Sequence, residues 1–560
     1  LVEITNTFLS LFRSEKMMMR SCGIHVRRMY RVVRPCYRMF CSSLSDLENE
    51  IHESGGTVRI GIVGAGPAGF YTAHSLLKDF TQLQQEFKSH STRMHIDIFD
   101  RDPIGNGLIR SGVAPDHPEV KHVQNRFQEL LEQNSDSNSN HLSFIGNVNV
   151  GRSIHPTIQL DNDIIEVPIS VLQNSYHAIV FACGCEGENR LAIKGSELLG
   201  VHAAGAFVRF YNGGFAPAAS DTTDFNRISL SPHKKVAIIG HGNVALDAAR
   251  VILKGRKGLD TTDITERALQ LLDTSTINEV HIFGRRGPAQ ASFTNQELRE
   301  MFELENCKVF IAKEDLMELN EISEKEISSS RIHKRMLKLM STRANLISKE
   351  EMMKRMSEDN PSSGEKSCYI HFCMNPYEYL DSNENPNCIS EAIFERTTLE
   401  GELKQQKAIG TGKLHSLKDC GLVLESIGYY PIPIKGILFN NKNRVSHSGG
   451  RVLTKEGNFM ERTYVSGWFK RGPSGIIATN VWDAQETARS VIEDLVKKRI
   501  PLNNRQPFYN GLIDTLKENN LESNIISWKE WLKIEEIEEK KGQSMIPPKP
   551  REKFLSPEAM

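Results

Sequence analysis

Nowhere does this 560-residue chain present the roughly 18 consecutive apolar residues that a bilayer-spanning helix requires. It lacks an excess of either charge as well. Lysine and arginine total 69, aspartate and glutamate 70, and the formal net charge is -1, which removes any global electrostatic case for nucleic acid or an anionic membrane surface. A charge-guided partner must therefore be met by a local patch. Cysteine is scarce, ten residues in all, and none stands in a C-x-x-C pair, which excludes a zinc ribbon and a thioredoxin-like dithiol. Cys183 and Cys185, one glycine apart, would strain a disulfide between them. Reduced thiols are expected, in keeping with a reducing compartment. With 39% hydrophobic and 25% charged residues, what remains is a soluble globular chain long enough for two or three cores.

A local absence marks the N-terminus. Residues 17–43 contain no acidic residue and no lysine, yet carry Arg20, Arg27, Arg28, Arg31, Arg34 and Arg38. That composition reads as a mitochondrial presequence; a nucleic-acid arm or polybasic membrane anchor, its rival, would more often use lysine. Residues 1–45 are set apart on this reading as presequence with an upstream extension, Met17, Met18 or Met19 initiating, and the mature chain is expected in the mitochondrial matrix.

The body opens with VRIGIVGAGPAGFYTAHSLLKDF, residues 58–80. Alternating β-branched residues give a strand, Gly64, Gly66 and Gly69 a turn, and the apolar spacing from Phe70 a helix. This is the strand, G-x-G-x-x-G, helix plan of a dinucleotide site. Gly64 permits the tight turn, Gly66 lets backbone N–H groups approach a pyrophosphate, and Gly69 lets the helix lie close to the strand, whose partner helix offers its N-terminus to the phosphates. A second strand, MHIDIFD, ends in Asp100, a carboxylate placed to accept from a ribose hydroxyl.

Residues 234–253, KKVAIIGHGNVALDAARVIL, repeat the plan with Gly240, Gly242 and Ala245. The following strand, EVHIF, ends in Gly284, Arg285 and Arg286, where an NAD site would place a carboxylate. Gly284 leaves room there, and two guanidinium groups can grip a 2′-phosphate in bidentate fashion. The doublet selects NADP over NAD. Three readings stay open on these residues: a flavoprotein with FAD at the first site and NADP at the second, a silent binder of both nucleotides serving as sensor or scaffold, and a dehydrogenase with a degenerate repeat. Residues 463–495 supply a further strand, a glycine-rich turn and an amphipathic helix that begins near Gly475, suited to face a flavin ring. Trp468 covers that ring or packs in the core.

The motifs GAGPAGFYTA, GLIRSGVAPDHPEVKHV, GHGNVALDAARVIL, TDIT, GRRGPAQASFTNQELREM, SIGY and SGWFKRGPSGIIAT resemble the mitochondrial adrenodoxin-reductase family, the adrenodoxin type of ferredoxin-NADP reductase, from about Arg59 to the C-terminus. The resemblance implies an α/β fold of two Rossmann-like dinucleotide-binding domains, the FAD domain discontinuous (residues 56–174 and 430–560) and the NADP domain (175–429) inserted in it. It implies FAD contacts at Ala68, Asp100, Leu108, Val150, Trp468, Gly475, Ile476 and Ile477, and NADP contacts at His241, Gly242, Asn243, Val244, Arg285, Arg286, Glu297 and Gly475. Family members usually carry glutamate at the position of Asp100 and glutamine at that of His241. Residues 341–406 match poorly.

The activity so implied is hydride transfer from NADPH to FAD, then single-electron transfer to an acidic [2Fe-2S] ferredoxin that feeds cytochrome P450 hydroxylation, iron–sulfur cluster and haem synthesis, or both. Docking carries over to Arg299, Arg331 and Arg335, and a proton-handling pair to His117 and Asp247. A monomer with no metal, no nucleic acid and no transmembrane segment, peripheral at most to the inner membrane, completes the expectation. An oxygen-reducing flavoenzyme is the enzymatic competitor.

Overall fold

The computed structural model describes residues 41–87, 92–136, 138–151, 158–161, 164–215, 228–358, 365–382, 385–440, 443–502, 512–556 and 560. The expected presequence lies outside them, except that residues 41–45 open a helix, Cys41–Glu53. Among the described residues no helix is long and apolar enough to cross a membrane.

Two parallel sheets carry the architecture, as the α/β reading required. At the centre of the first, Thr57–Val63 pairs in parallel with Arg93–Phe99 on one side and Ala178–Phe181 on the other. His141–Gly146 and Phe459–Val465 extend it outward, both parallel. Short antiparallel strands close its edges, His447–Ser448 and Arg451–Leu453 at one and Ile526–Ser527 at the other. Val58, Ile60 and Ile62 are 0% exposed; helices cover both faces of a parallel sheet, and each such side chain contributes about 1.5–3 kcal/mol by leaving water.

The second sheet has seven parallel strands in the order Asn345–Ile347, Cys307–Ala312, Lys366–His371, Glu279–Phe283, Lys235–Ile239, Cys420–Glu425 and Val201–Ala203. Its strands fall, in sequence, between the two parts of the first sheet. The outgoing and returning connections pair with each other, Gly187–Glu188 antiparallel to Tyr429–Tyr430. The boundary expected between residues 174 and 175 lies one strand too early. Ala178–Phe181 is hydrogen-bonded within the first sheet on both sides, in register Ile60 to Ala178 and Thr463 to Ile179, a long-range pairing that its hydrophobicity alone could not reveal.

The poorly matching region supplies two strands of a three-stranded antiparallel sheet, Met374–Asp381 and Ile389–Glu400, completed just beyond it by Lys407–Lys418. Phe394 anchors it, stacked on Phe283 with ring centroids 3.6 Å apart. That contact ties the added sheet to the strand that ends at the arginine doublet.

Candidate active site: two nucleotide cradles and a buried ionic cluster

The first cradle sits at the carboxyl end of Thr57–Val63. Gly64 adopts φ +111°, and a Cβ there would stand 2.6 Å from the Ala182 carbonyl oxygen. At Gly69 a Cβ would overlap the Gly64 carbonyl, so the helix Pro67–Gln84 approaches the turn only because this residue is glycine. Gly66 is the N-cap and gives no side-chain hydrogen bond to the first helical turn. The helix Asn243–Lys254, capped by Gly242, is bare in the same way. Helices Glu266–Asp273, Asn295–Phe302 and Arg331–Arg343, by contrast, are capped by Thr265, Thr294 and Ser330 side chains. The fingerprint helices thus retain the unpaired N–H groups that an anion satisfies.

Several of the expected residues meet around the first cradle. Asp100 stands at the strand end, its carboxylate accepting from the backbone N–H groups of Ala65 (2.7 Å) and Asp102 (3.0 Å). Each oxygen keeps a second acceptor site. Burial, reinforced by the Asp102 charge, pushes its pKa up to about 7 despite those donors. Ala68 is buried against Gly467, where a Cβ would overlap its methyl group. Leu108 begins the short helix Leu108–Ser111 and is exposed, as is Ile476; Ile477 packs at the edge of the core beneath the first sheet. Val150 is buried in the core with Val63 and Phe99. Gly475, at φ +82°, precedes the helix Thr479–Val496, which has no side-chain N-cap.

Trp468 lies near-parallel to Tyr429, with centroids 6.4 Å apart, and its Nε1 is buried with no hydrogen-bond partner among the described residues. Uncapped helix ends, exposed Leu108 and Ile476, and an orphaned indole N–H form a site that fits a flavin dinucleotide. Asn106 was missed by sequence reasoning: it is 1% exposed, has φ +77°, and neither its Oδ1 nor its Nδ2 finds a partner. Its only signal was its place between two glycines.

In the second cradle Gly240 has φ +128°, and a Cβ on Gly242 would meet nothing within 4 Å. Asn243 Oδ1 accepts from the Thr294 N–H at 2.8 Å, and Val244 packs at the core edge. Arg285 and Arg286 are exposed, and among the described residues neither guanidinium has a side-chain partner. The space at Gly284 requires a correction. The room left by the missing side chain is filled by the His241 ring, which a Cβ would overlap, so Gly284 is small for the sake of its neighbour rather than of a phosphate.

His117, Asp247 and Glu297 come together, with ligand atoms within 4.8 Å of one another. What joins them is Arg250, 1% exposed and unforeseen. Its guanidinium donates to Asp116 at 2.7 Å, Asp247 at 2.8 Å and Glu297 at 3.2 Å, and lies 3.0 Å from His117 Nε2. His117 Nε2 is also 2.7 Å from Glu300. Asp116 and His117 come from the first nucleotide unit and the rest from the second, so the cluster spans both. Burial, with the Asp247 charge added, pushes Glu297 up to about 7; burial likewise raises Asp247. Arg250 occupies the apolar phase of its helix, three or four residues from Leu246 and Leu253, which was the available signal.

A second tie between the units surrounds Asp263 of the TDIT motif. Lys121 donates to it at 2.6 Å and Lys553, from the C-terminal segment, pairs with it at 2.9 Å. Arg110 grips Glu538 through two hydrogen bonds, 2.9 and 2.6 Å, both groups buried. Arg299 and the pair Arg331 and Arg335 are exposed on the adjoining helices Asn295–Phe302 and Arg331–Arg343. Among the described residues, Cys183, Cys185, Cys307, Cys368, Cys373, Cys388 and Cys420 form no disulfide.

A fold with two glycine cradles at the carboxyl ends of two parallel sheets, one lined for a flavin and the other followed by free arginines, defines an FAD- and NADP-dependent oxidoreductase. No family model matches the chain. The mitochondrial NADPH:adrenodoxin oxidoreductase of Bos taurus is 36% identical over 514 residues, 90% of this chain and 91% of its own. That of Homo sapiens is 35% identical over 523 residues, 93% of each, and that of Arabidopsis thaliana 35% over 508, covering 88% and 93%. FprA, a Mycobacterium tuberculosis oxidoreductase solved in complex with NADPH, superposes with a TM-score of 0.73 at 29% identity, over 90% of this chain and 98% of that one. The chain belongs to the family of mitochondrial NADPH:adrenodoxin oxidoreductases.

Proposed function

We propose that this chain passes electrons from NADPH through FAD to a small acidic [2Fe-2S] ferredoxin in the mitochondrial matrix, for hydroxylation or cluster assembly downstream. The observation that carries the reading is the pair of uncapped glycine cradles, the second of which leads into two unpartnered guanidinium groups. The curated relatives are named mitochondrial and for adrenodoxin, which supports both the compartment and the partner class. Residues 56–181 and 430–560 form the FAD unit and 182–429 the NADP unit on this reading.

Bound FAD supplies the change from two-electron to one-electron chemistry. The protein binds and orients. Gly64, Gly66 and Gly69 would admit the pyrophosphate to the helix end; Asp100 would accept from the ribose; Ala68, Leu108, Val150, Gly475, Ile476 and Ile477 would line the cofactor, and the unpartnered Trp468 N–H would be left to donate to it. Gly242, Asn243 and Val244 take the second pyrophosphate at the end of Asn243–Lys254, and Arg285 and Arg286 bind the 2′-phosphate. His117 and Asp247, the proton-handling pair, meet Glu297 around Arg250 at the junction of the units, where burial raises Asp247 and Glu297, with its pKa near 7, can exchange a proton at neutral pH.

Arg299, Arg331 and Arg335 form a cationic dock that steers an acidic ferredoxin. The test is cytochrome c reduction by purified holoprotein and NADPH, with and without ferredoxin. Turnover that requires ferredoxin supports the reading; equal turnover without it, consuming oxygen, would favour an oxygen-reducing flavoenzyme.

A further inference from the structure

The His241 ring occupies an unexpected place. The residue lies in the phosphate turn, between Gly240 and the N-cap Gly242, where a polar side chain is expected to reach toward the coenzyme. Its imidazole instead turns inward. The ring centroid is 5.2 Å from that of Phe293 and 4.7 Å from that of Phe372, the latter edge-on. Against it lies the backbone of Gly284, so closely that no β-carbon fits between them.

That contact lies just beyond the strand ladder that pairs Ile239 with Phe283 and joins the turn to the start of the doublet. Gly240 N–H donates to Phe283 O at 2.7 Å, and Ser292 N–H to His241 O at 2.7 Å. The doublet itself is held through its carbonyls: Thr397 Oγ1 donates to Arg285 O at 2.8 Å and Cys373 N–H to Arg286 O at 3.1 Å. Neither guanidinium is fixed by a partner among the described residues. Burial holds the His241 pKa down to about 4 against hydrogen bonding to the backbone at Ile282 and His371, so at neutral pH the ring is uncharged. It adds no charge to the phosphate site.

We propose that His241 is a positioning residue for coenzyme selectivity: its ring, wedged against Gly284, sets the offset between the turn that receives the pyrophosphate and the arginines that receive a 2′-phosphate monoester. This rests on the assignment of NADP(H) to the second cradle. A bidentate contact depends steeply on placement, because both N–H groups must meet both oxygens. A backbone freed to sag by an ångström or so weakens the 2′-phosphate contact and leaves the shared pyrophosphate contact nearly intact.

The experiment measures NADP⁺ and NAD⁺ affinity by calorimetry on flavin-loaded wild type, His241→Ala, His241→Phe, Gly284→Ala and the double variant His241→Ala/Gly284→Ala. The two ligands differ only in the 2′-phosphate. His241→Ala should weaken NADP⁺ about tenfold, the size of one charged hydrogen bond lost, and change NAD⁺ less than about twofold. Gly284→Ala, which displaces the ring, should lose selectivity alone yet recover it in the double variant, where the new methyl group fills the vacated space. His241→Phe, with a ring of similar size, should keep selectivity within about threefold, and it carries the test if the alanine variant fails to fold.

Selectivity retained in His241→Ala, or lost as much in His241→Phe as in His241→Ala, would overturn the wedge. So would equal damage from Gly284→Ala with and without His241. A wild type that binds NAD⁺ as tightly as NADP⁺ would instead overturn the assignment of the cradle.

Discussion

Replacing Arg250 with methionine removes the one cation shared by four carboxylates. Arg250 is 1% exposed and contacts Asp116, Asp247, Glu297 and Glu300 at 2.7 to 3.6 Å; of the groups around it, Lys254, 2.8 Å from Asp116, and the His117 ring would remain. Methionine fills much of the space but leaves desolvated carboxylates without their partner, a change that costs about 3–5 kcal/mol. At about 2–4 °C per kcal/mol for domains of this size, the unfolding midpoint should fall by roughly 6–20 °C. The deficit should also depend on pH. Burial already holds Glu297 and Asp247 above the usual carboxylate range, and losing the guanidinium raises them further. A carboxyl whose folded pKa exceeds its unfolded value contributes stability fully present below the unfolded pKa and lost as pH rises through the folded one. The Arg250→Met deficit should therefore be larger at pH 8 than at pH 6. Thermal unfolding of the flavin-loaded protein, followed by far-UV circular dichroism at both pH values, measures it. A midpoint within about 2 °C of wild type, or a deficit independent of pH, would refute the picture of a buried arginine neutralising the junction.

Gly64→Ala places a β-carbon 2.6 Å from the Ala182 carbonyl at φ +111°, so purified protein should have lost most of its flavin absorbance; full retention would contradict the cradle geometry. Replacing both Arg285 and Arg286 with alanine should raise the KM for NADPH about 10- to 100-fold, as charged hydrogen bonds worth roughly 1.5–3 kcal/mol disappear, while the KM for NADH stays within about twofold. Arg335→Glu should slow ferredoxin reduction at low salt with little effect on ferricyanide reduction, and the wild-type ferredoxin rate should fall steeply with added salt; a salt-insensitive rate would remove the dock. Glu297→Gln should abolish the change in flavin-reduction rate centred near pH 7, and an unchanged pH profile would take Glu297 out of proton handling.

The cradles were legible because they are local. Strand alternation, glycine spacing and the helix that follows all lie within some twenty residues, and the structure keeps the glycines where turn geometry demands them. The nature of the Asp100 site was half legible: the strand end was visible, but not the backbone donors of Ala65 and Asp102 that already occupy its oxygens. Long-range pairing hid the rest. Ala178–Phe181 reads as a strand in the sequence, yet which sheet it joins depends on partners more than a hundred residues away. The sheet of residues 374–418 fell in a region where no motif guided the reading. Arg250 stayed hidden because a helix's buried face is read from its apolar residues, and the carboxylate that best explains it, Asp116, comes from another part of the fold. His241 misled most directly, since a polar residue in a phosphate turn is expected to face the ligand and this one packs between Phe293 and Phe372.

The most direct test of the central claim is anaerobic titration of the purified holoprotein, following the visible flavin absorbance. The account requires a yellow protein bleached by stoichiometric NADPH and far more slowly by NADH at equal concentration. A colourless protein after reconstitution with FAD, or one bleached equally fast by both donors, would contradict it.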